Sequence, residues 1–351
     1  MFFSSKRVIG LDIGTSSIKM AEMEVSKSGA TLLSFVLAPT PTNSVSTGEI
    51  SNPNMVGGVI SGMFSELRSK RKYVSTGLWG TAVIVKKITI PKMEKKLIRD
   101  QIRFEAEQYI PFDVNNISLD YFLLSNSNSP DTLDVLLVAA QNEVVNQYVS
   151  TITNAALKIA VIDVSGFALA NTFEMNYGRF RNENIGVFNF GSSVTNFVVI
   201  SHGQVIFCRD IPVGGSNYTN EISKNLGVSL IEAESLKISA SLRREVPEEV
   251  HSIIGSTSEA VIEEIKNSLD FLSATTNGLT LNRCFYTGGG AATSGMIDSM
   301  IKSTGLGFEP MNCFRKIKYS SKKISPAYLQ QIGNYSSVAL GLAARQDGDN
   351  D

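Results

Sequence analysis

Apolar positions at the start of the chain fall into short runs. Residues 7–13 form a first β-run ending at Gly14, and a polar turn, Thr15-Ser16-Ser17, leads into a second run at 18–23. There Ile18 and Met20 alternate with polar neighbours, the period of a half-buried strand. A third run at 31–38 is closed by Pro39 and Pro41, so three consecutive antiparallel strands are predicted. Residues 43–53 are rich in Ser, Asn, Thr and Gly and read as a loop. Helical spacing follows over 54–70, with Met55, Val59, Met63 and Leu67 on one face. A β-branched run at 81–90 precedes an amphipathic helix over 92–110, carried by Met93, Leu97, Ile102, Ala106 and Tyr109 and stopped by Pro111. Strands at 120–124 and 133–140 flank a Ser/Asn/Pro linker at 125–131. A helix at 143–156 and a strand at 159–164 come next. The stretch 76–160 thus reads as a small α+β unit of its own.

After a helix around 167–175 the opening pattern restarts. A β-run at 185–190, Gly191, Ser192-Ser193 and a second run at 194–200 repeat strand–turn–strand, and His202-Gly203 turns the chain into a third run at 205–210. Asp12-Ile13-Gly14-Thr15-Ser16 stands against Asn189-Phe190-Gly191-Ser192-Ser193. In both, a β-run ends in an Asx residue followed by one apolar residue, Gly and two hydroxyl residues. The recurrence in the same three-strand context predicts a duplicated chain with two related lobes. A third element is the short strand 284–286, then Thr287-Gly288-Gly289-Gly290-Ala291-Ala292 and a helix near 294–303.

Each loop alone is an ordinary hairpin turn, for which Gly14 or Gly191 supplies the backbone freedom. Together they suggest a phosphate site. Successive N–H groups in such turns form anion-binding nests, and Thr15, Ser16, Ser17, Ser192 and Ser193 add hydroxyl donors. Asp12 could hold Mg²⁺ through water, because that ion prefers few carboxylates together with phosphates and waters. Lys19, on the strand leaving the first turn, could neutralise phosphate charge. Gly288, Gly289 and Gly290 would let a flat ligand or its phosphate approach the backbone closely.

Composition narrows the function classes. With 351 residues the chain holds about two domains. Net charge is −1 with both signs interspersed, so nucleic acid is a poor first partner. Cys208, Cys284 and Cys313 are isolated and read as packed thiols. The two histidines, His202 and His251, rule out a His-rich metal site. No run approaches the roughly 18 apolar residues of a membrane span, and 1–7 is too short for a signal peptide. A cytoplasmic protein without direct membrane insertion is expected, with a short frayed tail at 346–351.

The motifs resemble those of the actin, Hsp70 and sugar-kinase superfamily: a first phosphate motif at Asp12–Ser17, a second at Asn189–Ser193 and an adenosine motif at Thr287–Gly290. Within it the chain resembles the type IV pilus assembly PilM family. The resemblance is carried by Glu105-x-x-Gln108-Tyr109-Ile110-Pro111-Phe112, by Arg209-Asp210-Ile211-Pro212-Val213-Gly214-Gly215, by Glu232-Ala233-Glu234-x-x-Lys237 and by Tyr335-x-x-Val338-Ala339-x-Gly341-Leu342-Ala343. It implies an actin-like, ribonuclease H-like α/β fold of two lobes with ATP in the cleft between them. The first lobe would comprise 1–75 and 161–184, an FtsA-type inserted subdomain 76–160, and the second lobe 185–345 with a helical subdomain at about 228–280. It further implies that Gly214 and Gly215 lie near the nucleotide and that Glu234 and Lys237 contact ribose and adenine. Read from the residues alone, those last two are a solvated pair at i, i+3.

The implied role is a cytoplasmic scaffold of the pilus inner-membrane complex, peripheral at the membrane through its partners. It would bind the N-terminal tail of the membrane protein PilN in a groove beside the inserted subdomain, along with other pilus assembly proteins. Where the family usually carries Asp, this chain has Asn189, at best a weak metal ligand. Losing a carboxylate there should hurt phosphoryl transfer more than binding, so ATP and Mg²⁺ binding with slow or negligible turnover is expected. The alternatives are a small-molecule kinase, for which no general base stands out, and an FtsA-like filament former, for which 345–351 is no amphipathic membrane helix.

Overall fold

The two halves foreseen from the repeat are two separate sheets. The computed structural model describes residues 7–125, 130–322 and 324–346. The first half contains β1 (Ile9–Ile13), β2 (Ser17–Ser26), β3 (Gly29–Pro39), the two-residue pair β4 (Val45–Ser46) and β5 (Glu49–Ile50), α1 (Pro53–Leu67) and β6 (Tyr73–Leu78). Then come β7 (Val83–Pro91), α2 (Lys95–Tyr109), β8 (Ile117–Leu123), β9 (Thr132–Gln141), α3 (Asn142–Asn154), β10 (Lys158–Val164) and α4 (Ser165–Tyr177). The second half runs β11 (Asn184–Phe190), β12 (Thr195–Ser201), β13 (Gln204–Ile211), α5 (Gly215–Leu226), α6 (Leu230–Ser241), α7 (Glu248–Thr275), β14 (Arg283–Thr287) and α8 (Met296–Thr304). It closes with β15 (Phe308–Pro310). The chain then returns to the first half, where β16 (Lys318–Tyr319) pairs with β3, α9 (Pro326–Ile332) reaches β3 through Tyr328, and α10 (Ser337–Ala343) packs on β1. The end of the expected 185–345 lobe therefore lies with the first sheet.

One sheet has the order β10-β6-β1-β2-β3-β16 and the other β13-β12-β11-β14-β15. Their centres are built alike. β1 is antiparallel to β2 and parallel to β6, as β11 is antiparallel to β12 and parallel to β14. The likeness extends to single residues: Asp12 lies opposite Lys19, and Asn189 opposite Asn196, seven residues on in each case. Both turns close with the same hydrogen bond, Gly14 N–H to Ser17 O at 3.1 Å and Gly191 N–H to Val194 O at 2.9 Å. Helices α4 and α10 pack on each other between the sheets. A shared core runs through them, with Leu169, Phe173, Ala339 and Leu340 meeting Met23 and Phe35 from one half and Val187 and Phe285 from the other.

β7, β9 and β8 form a third, antiparallel sheet covered by α2, with its own core of Ile88, Ile90, Ile98, Ile102, Val135 and Leu137. This unit spans 83–141 and is narrower than the 76–160 expected. β6 and β10 are paired with each other inside the six-stranded sheet, and α3 packs on α1. The ends of the stretch are therefore parts of the first half. In α1 the buried face is Val56, Ile60, Met63 and Leu67, while Met55 is exposed: two apolar neighbours, 55 and 56, made either face legible. Leu97 and Tyr109, expected to face inward from α2, are exposed as well. Of the expected linker at 125–131, residues 126–129 lie outside the described residues, as do 1–6 and 347–351 at the ends; Arg7 and Gln346 form an isolated bridge. Among the described residues no helix is long and apolar enough to cross a membrane.

Candidate functional site

The two glycine turns face one another across a cleft of about 390 Å³. Asp12, Gly14, Thr15, Ser16, Ser17 and Lys19 line it from the first half. Asn189, Gly191, Ser192 and Ser193 line it from the second. The loops touch: the hydroxyls of Thr15 and Ser193 are 2.6 Å apart. Loop one is braced by Thr40, whose hydroxyl donates to Gly14 O at 2.7 Å and whose N–H donates to Ser16 O at 3.1 Å. Among the described residues, the backbone N–H groups of Thr15, Ser16, Ser192 and Ser193 meet no protein acceptor. Four unspent donors beside a cleft are what an anion site requires. Lys19 adds positive charge and lies 3.1 Å from Asp12 Oδ2.

Loop two is held from behind by the start of α5. Gly215 N–H donates to Gly191 O at 3.0 Å, and Ser216 N–H to Ser192 O at 2.7 Å. Gly214 does not line the cleft; a β-carbon on it would stand 2.5 Å from Ser192 O and 2.6 Å from Gly191 O. Gly214 and the Gly215 N–H thus shape the loop, and of the two only Gly215 also lines the cleft. Gly288, Gly289 and Gly290 form its floor. Gly288 has φ +97°, and a β-carbon there would stand 2.2 Å from Phe190 O, so the turn lies directly on the strand that feeds loop two.

Beyond this floor, α6 contributes Glu234, Lys237, Ile238, Ser241 and Leu242, one helix face at spacing three and four. Lys237 is not a solvated partner of Glu234. It is buried, and its Nζ donates to Gly215 O at 3.0 Å, Thr219 Oγ1 at 2.9 Å and Glu234 Oε2 at 2.6 Å. Ile238 and Leu242 stay exposed here, and across the cleft the Tyr335 ring lies against Gly289. Aliphatic and aromatic side chains lining the same cleft as unspent phosphate-type donors suit a nucleoside phosphate.

Asn189 belongs to a row of side chains crossing the second sheet. Its amide donates to Asn196 Oδ1 at 2.8 Å, and Asn196 Nδ2 donates to Asp210 Oδ1 at 2.7 Å. Gly80 N–H donates to Asp210 Oδ2 at 2.6 Å. Burial pushes the Asp210 carboxyl above the usual carboxylate range, and the hydrogen bonds from Asn196 and Gly80 oppose that shift. Trp79, next to Gly80, lines the cleft and donates its Nε1–H to Ile13 O at 2.9 Å.

A family model described as type IV pilus assembly protein PilM matches residues 10–347. The chain belongs to the PilM family. Among solved structures it is similar to the chain of a PilM–PilN type IV pilus biogenesis complex, with 27% identity, 96% of this chain and 97% of that one covered, and a TM-score of 0.86. It also resembles the ethanolamine utilization protein EutJ of Carboxydothermus hydrogenoformans at 14% identity, over 96% of this chain and 88% of that one, with a TM-score of 0.54. The actin-like α/β fold is therefore the fold of this PilM-family chain, as the motifs implied.

Of the residues singled out in the sequence, the cleft gathers Asp12, both turns, Lys19, Asn189, Gly215, Glu234, Lys237 and Gly288–Gly290; Gly214 stands behind it. Trp79, Ser165, Asn196, Ile238, Leu242, Tyr335 and Ser337 were missed. The helical spacing from Glu234 could have found Ile238 and Leu242, whereas Trp79 and Ser165 arrive through long-range strand pairing. Beside the two turns the cleft offers a divalent cation the Asp12 carboxylate and the Asn189 amide, while its other carboxylate, Glu234, is engaged by Lys237 and Thr219; no cluster of three acidic, His or Cys ligands exists among the described residues. That donor set fits Mg²⁺, which takes most of its oxygens from phosphate and water.

Proposed function

We propose that this PilM-family chain is an ATP-binding scaffold of type IV pilus assembly that binds the N-terminal cytoplasmic tail of a PilN protein and hydrolyses ATP slowly or not at all. The likeness at TM-score 0.86 to a chain of a PilM–PilN complex, together with membership of the PilM family, supports the partner. Support for the ligand comes from the cleft itself, above all the four unspent N–H groups of the two loops that line it. The phosphates would be held by loop donors and Lys19, the base between Ile238, Leu242 and Tyr335, and the ribose beside Glu234 and Lys237. Bound Mg²⁺ would supply charge neutralisation at the terminal phosphates, with Asp12 holding its water shell. Asn189 brings no negative charge to that shell, which favours holding nucleotide over splitting it. The protein would act on the cytoplasmic side of the inner membrane, reaching it through PilN and other pilus assembly proteins.

Two measurements test this. Titration with ATP and Mg²⁺, followed through Trp79, the sole tryptophan, should show saturable binding, with phosphate release near background. A synthetic PilN-tail peptide should bind the same protein. Brisk turnover would refute the holding role, and no peptide binding with or without nucleotide would refute the scaffold.

A further inference from the structure

The row Asn189–Asn196–Asp210 has a polarity that chemistry fixes. The three residues lie side by side on β11, β12 and β13. An ionised carboxylate only accepts hydrogen bonds. Both oxygens of Asp210 are engaged, Oδ2 by Gly80 N–H at 2.6 Å and Oδ1 by the Asn196 amide at 2.7 Å. With its NH₂ committed to Asp210, Asn196 can offer Asn189 only a carbonyl oxygen. Asn189 meets that oxygen with its own NH₂ at 2.8 Å. What is left over is Asn189 Oδ1, 3.5 Å from the Ser337 hydroxyl, which also lines the cleft.

We propose that Asp210 is a positioning residue that, relayed by Asn196, holds Asn189 with its carbonyl oxygen and not its NH₂ toward the nucleotide cleft. Asn189 then serves as a neutral acceptor for the hydrated cation that accompanies the phosphates. This rests on the nucleotide reading above, although the relay can be tested without any ligand. The first half shows the contrast. There, at the matching pair of positions, Lys19 faces Asp12 and its ammonium supports a carboxylate at the cleft. In the second half the negative charge sits two strands away, at Asp210. The same relay makes a carboxylate at 189 unfavourable, because Asn196 would then stand between two carboxylates with only one face able to donate.

The variants D210N, N189D and N189D/D210N decide the matter, measured with wild type by thermal unfolding without ligand and by ATP binding in Mg²⁺ or in EDTA. In D210N the new amide accepts from Gly80 and turns its NH₂ to Asn196, reversing the whole row and bringing the Asn189 NH₂ to the cleft. The affinity gained on adding Mg²⁺ should shrink about fivefold, the worth of one hydrogen bond of ordinary strength, with affinity in EDTA little changed. N189D should lower the unfolding temperature by about 3 °C, a part-buried polar mismatch spread over a chain of this size. N189D/D210N should recover that loss, since the amide now at position 210, the Asn196 side chain and the carboxylate now at position 189 form a satisfied row of reversed polarity. Additive shifts in the double variant, or a D210N protein that binds ATP with the full Mg²⁺ gain, would overturn the proposal. Should N189D and the double variant both fail to fold, the Mg²⁺ gain in D210N decides. If wild type binds no ATP, the nucleotide reading fails, and non-additivity of the unfolding shifts alone decides the relay.

Discussion

Replacing Gly288 by alanine tests whether the glycine turn is pressed onto loop two or is merely a loose connection. Gly288 has φ +97° and ψ 150°, a region essentially reserved for glycine. Strain there costs an L-residue about 2 kcal/mol. The added carbon would also sit 2.2, 2.5 and 2.6 Å from Phe190 O, N and C, all backbone, so no rotamer change relieves the overlap. Displacing a central strand of the second sheet adds about 2 kcal/mol by analogy with overpacked cores. The sum, about 4 kcal/mol, corresponds to a fall in unfolding temperature of about 5 °C for a chain of this length. Gly295→Ala is the matched control: it has φ +71° but no neighbour within 4 Å, so only strain of about 1 kcal/mol is expected. Differential scanning fluorimetry reads both, and Trp79 fluorescence reads ATP affinity, which Gly288→Ala should abolish and Gly295→Ala should leave intact. Equal thermal shifts with binding preserved in both would refute the close packing of turn on loop.

Lys237→Met should lower stability by about 2 kcal/mol by leaving Gly215 O and Thr219 Oγ1 without their ammonium donor, and should weaken ATP binding about tenfold; chemical denaturation and titration check each. Thr15→Val and Ser193→Ala each break the hydroxyl contact between the loops. The two should be non-additive by about 1 kcal/mol in a double-mutant cycle, with faster amide exchange in both turns. Asp210 has its folded pKa raised above its unfolded value, chiefly by burial. Between those two values the native state holds more protons than the unfolded state, so wild-type stability falls as pH rises through that window. Asp210→Asn lacks this dependence, and its stability relative to wild type should climb with pH across the same window in denaturation curves taken from pH 4 upward.

What was legible in the sequence was local. Gly14 and Gly191 close turns through hydrogen bonds spanning three residues, so the run of Asx, apolar, Gly and two hydroxyl residues carries the geometry within itself. The glycine run at 288–290 announced a close approach, but that Gly288 meets the backbone of Phe190, 98 residues earlier, was not legible, because that contact is long-range. The limits of the inserted unit were not legible, because β6 and β10 look like any strand of that stretch until β6 pairs with the distant β1 and β10 with β6. Gly214 was misplaced as a ligand contact because a glycine needed for contact with loop two and one needed for contact with a nucleotide look the same in a sequence.

Asn196 is the instructive case. Nothing in its neighbourhood marks it, yet the repeat does: Lys19 stands seven residues after Asp12, and Asn196 seven after Asn189, each directly opposite across a hairpin. Comparing the halves at that spacing sets a charged pair against a neutral one. Asn189 alone reads as a lost carboxylate. Asn189 with Asn196 and Asp210 reads as a carboxylate moved two strands away, with two amides transmitting its orienting effect to the cleft. The second reading makes the neutral residue part of the design of the loop, and it follows that restoring charge at 189 without removing it at 210 should weaken the site it was meant to repair.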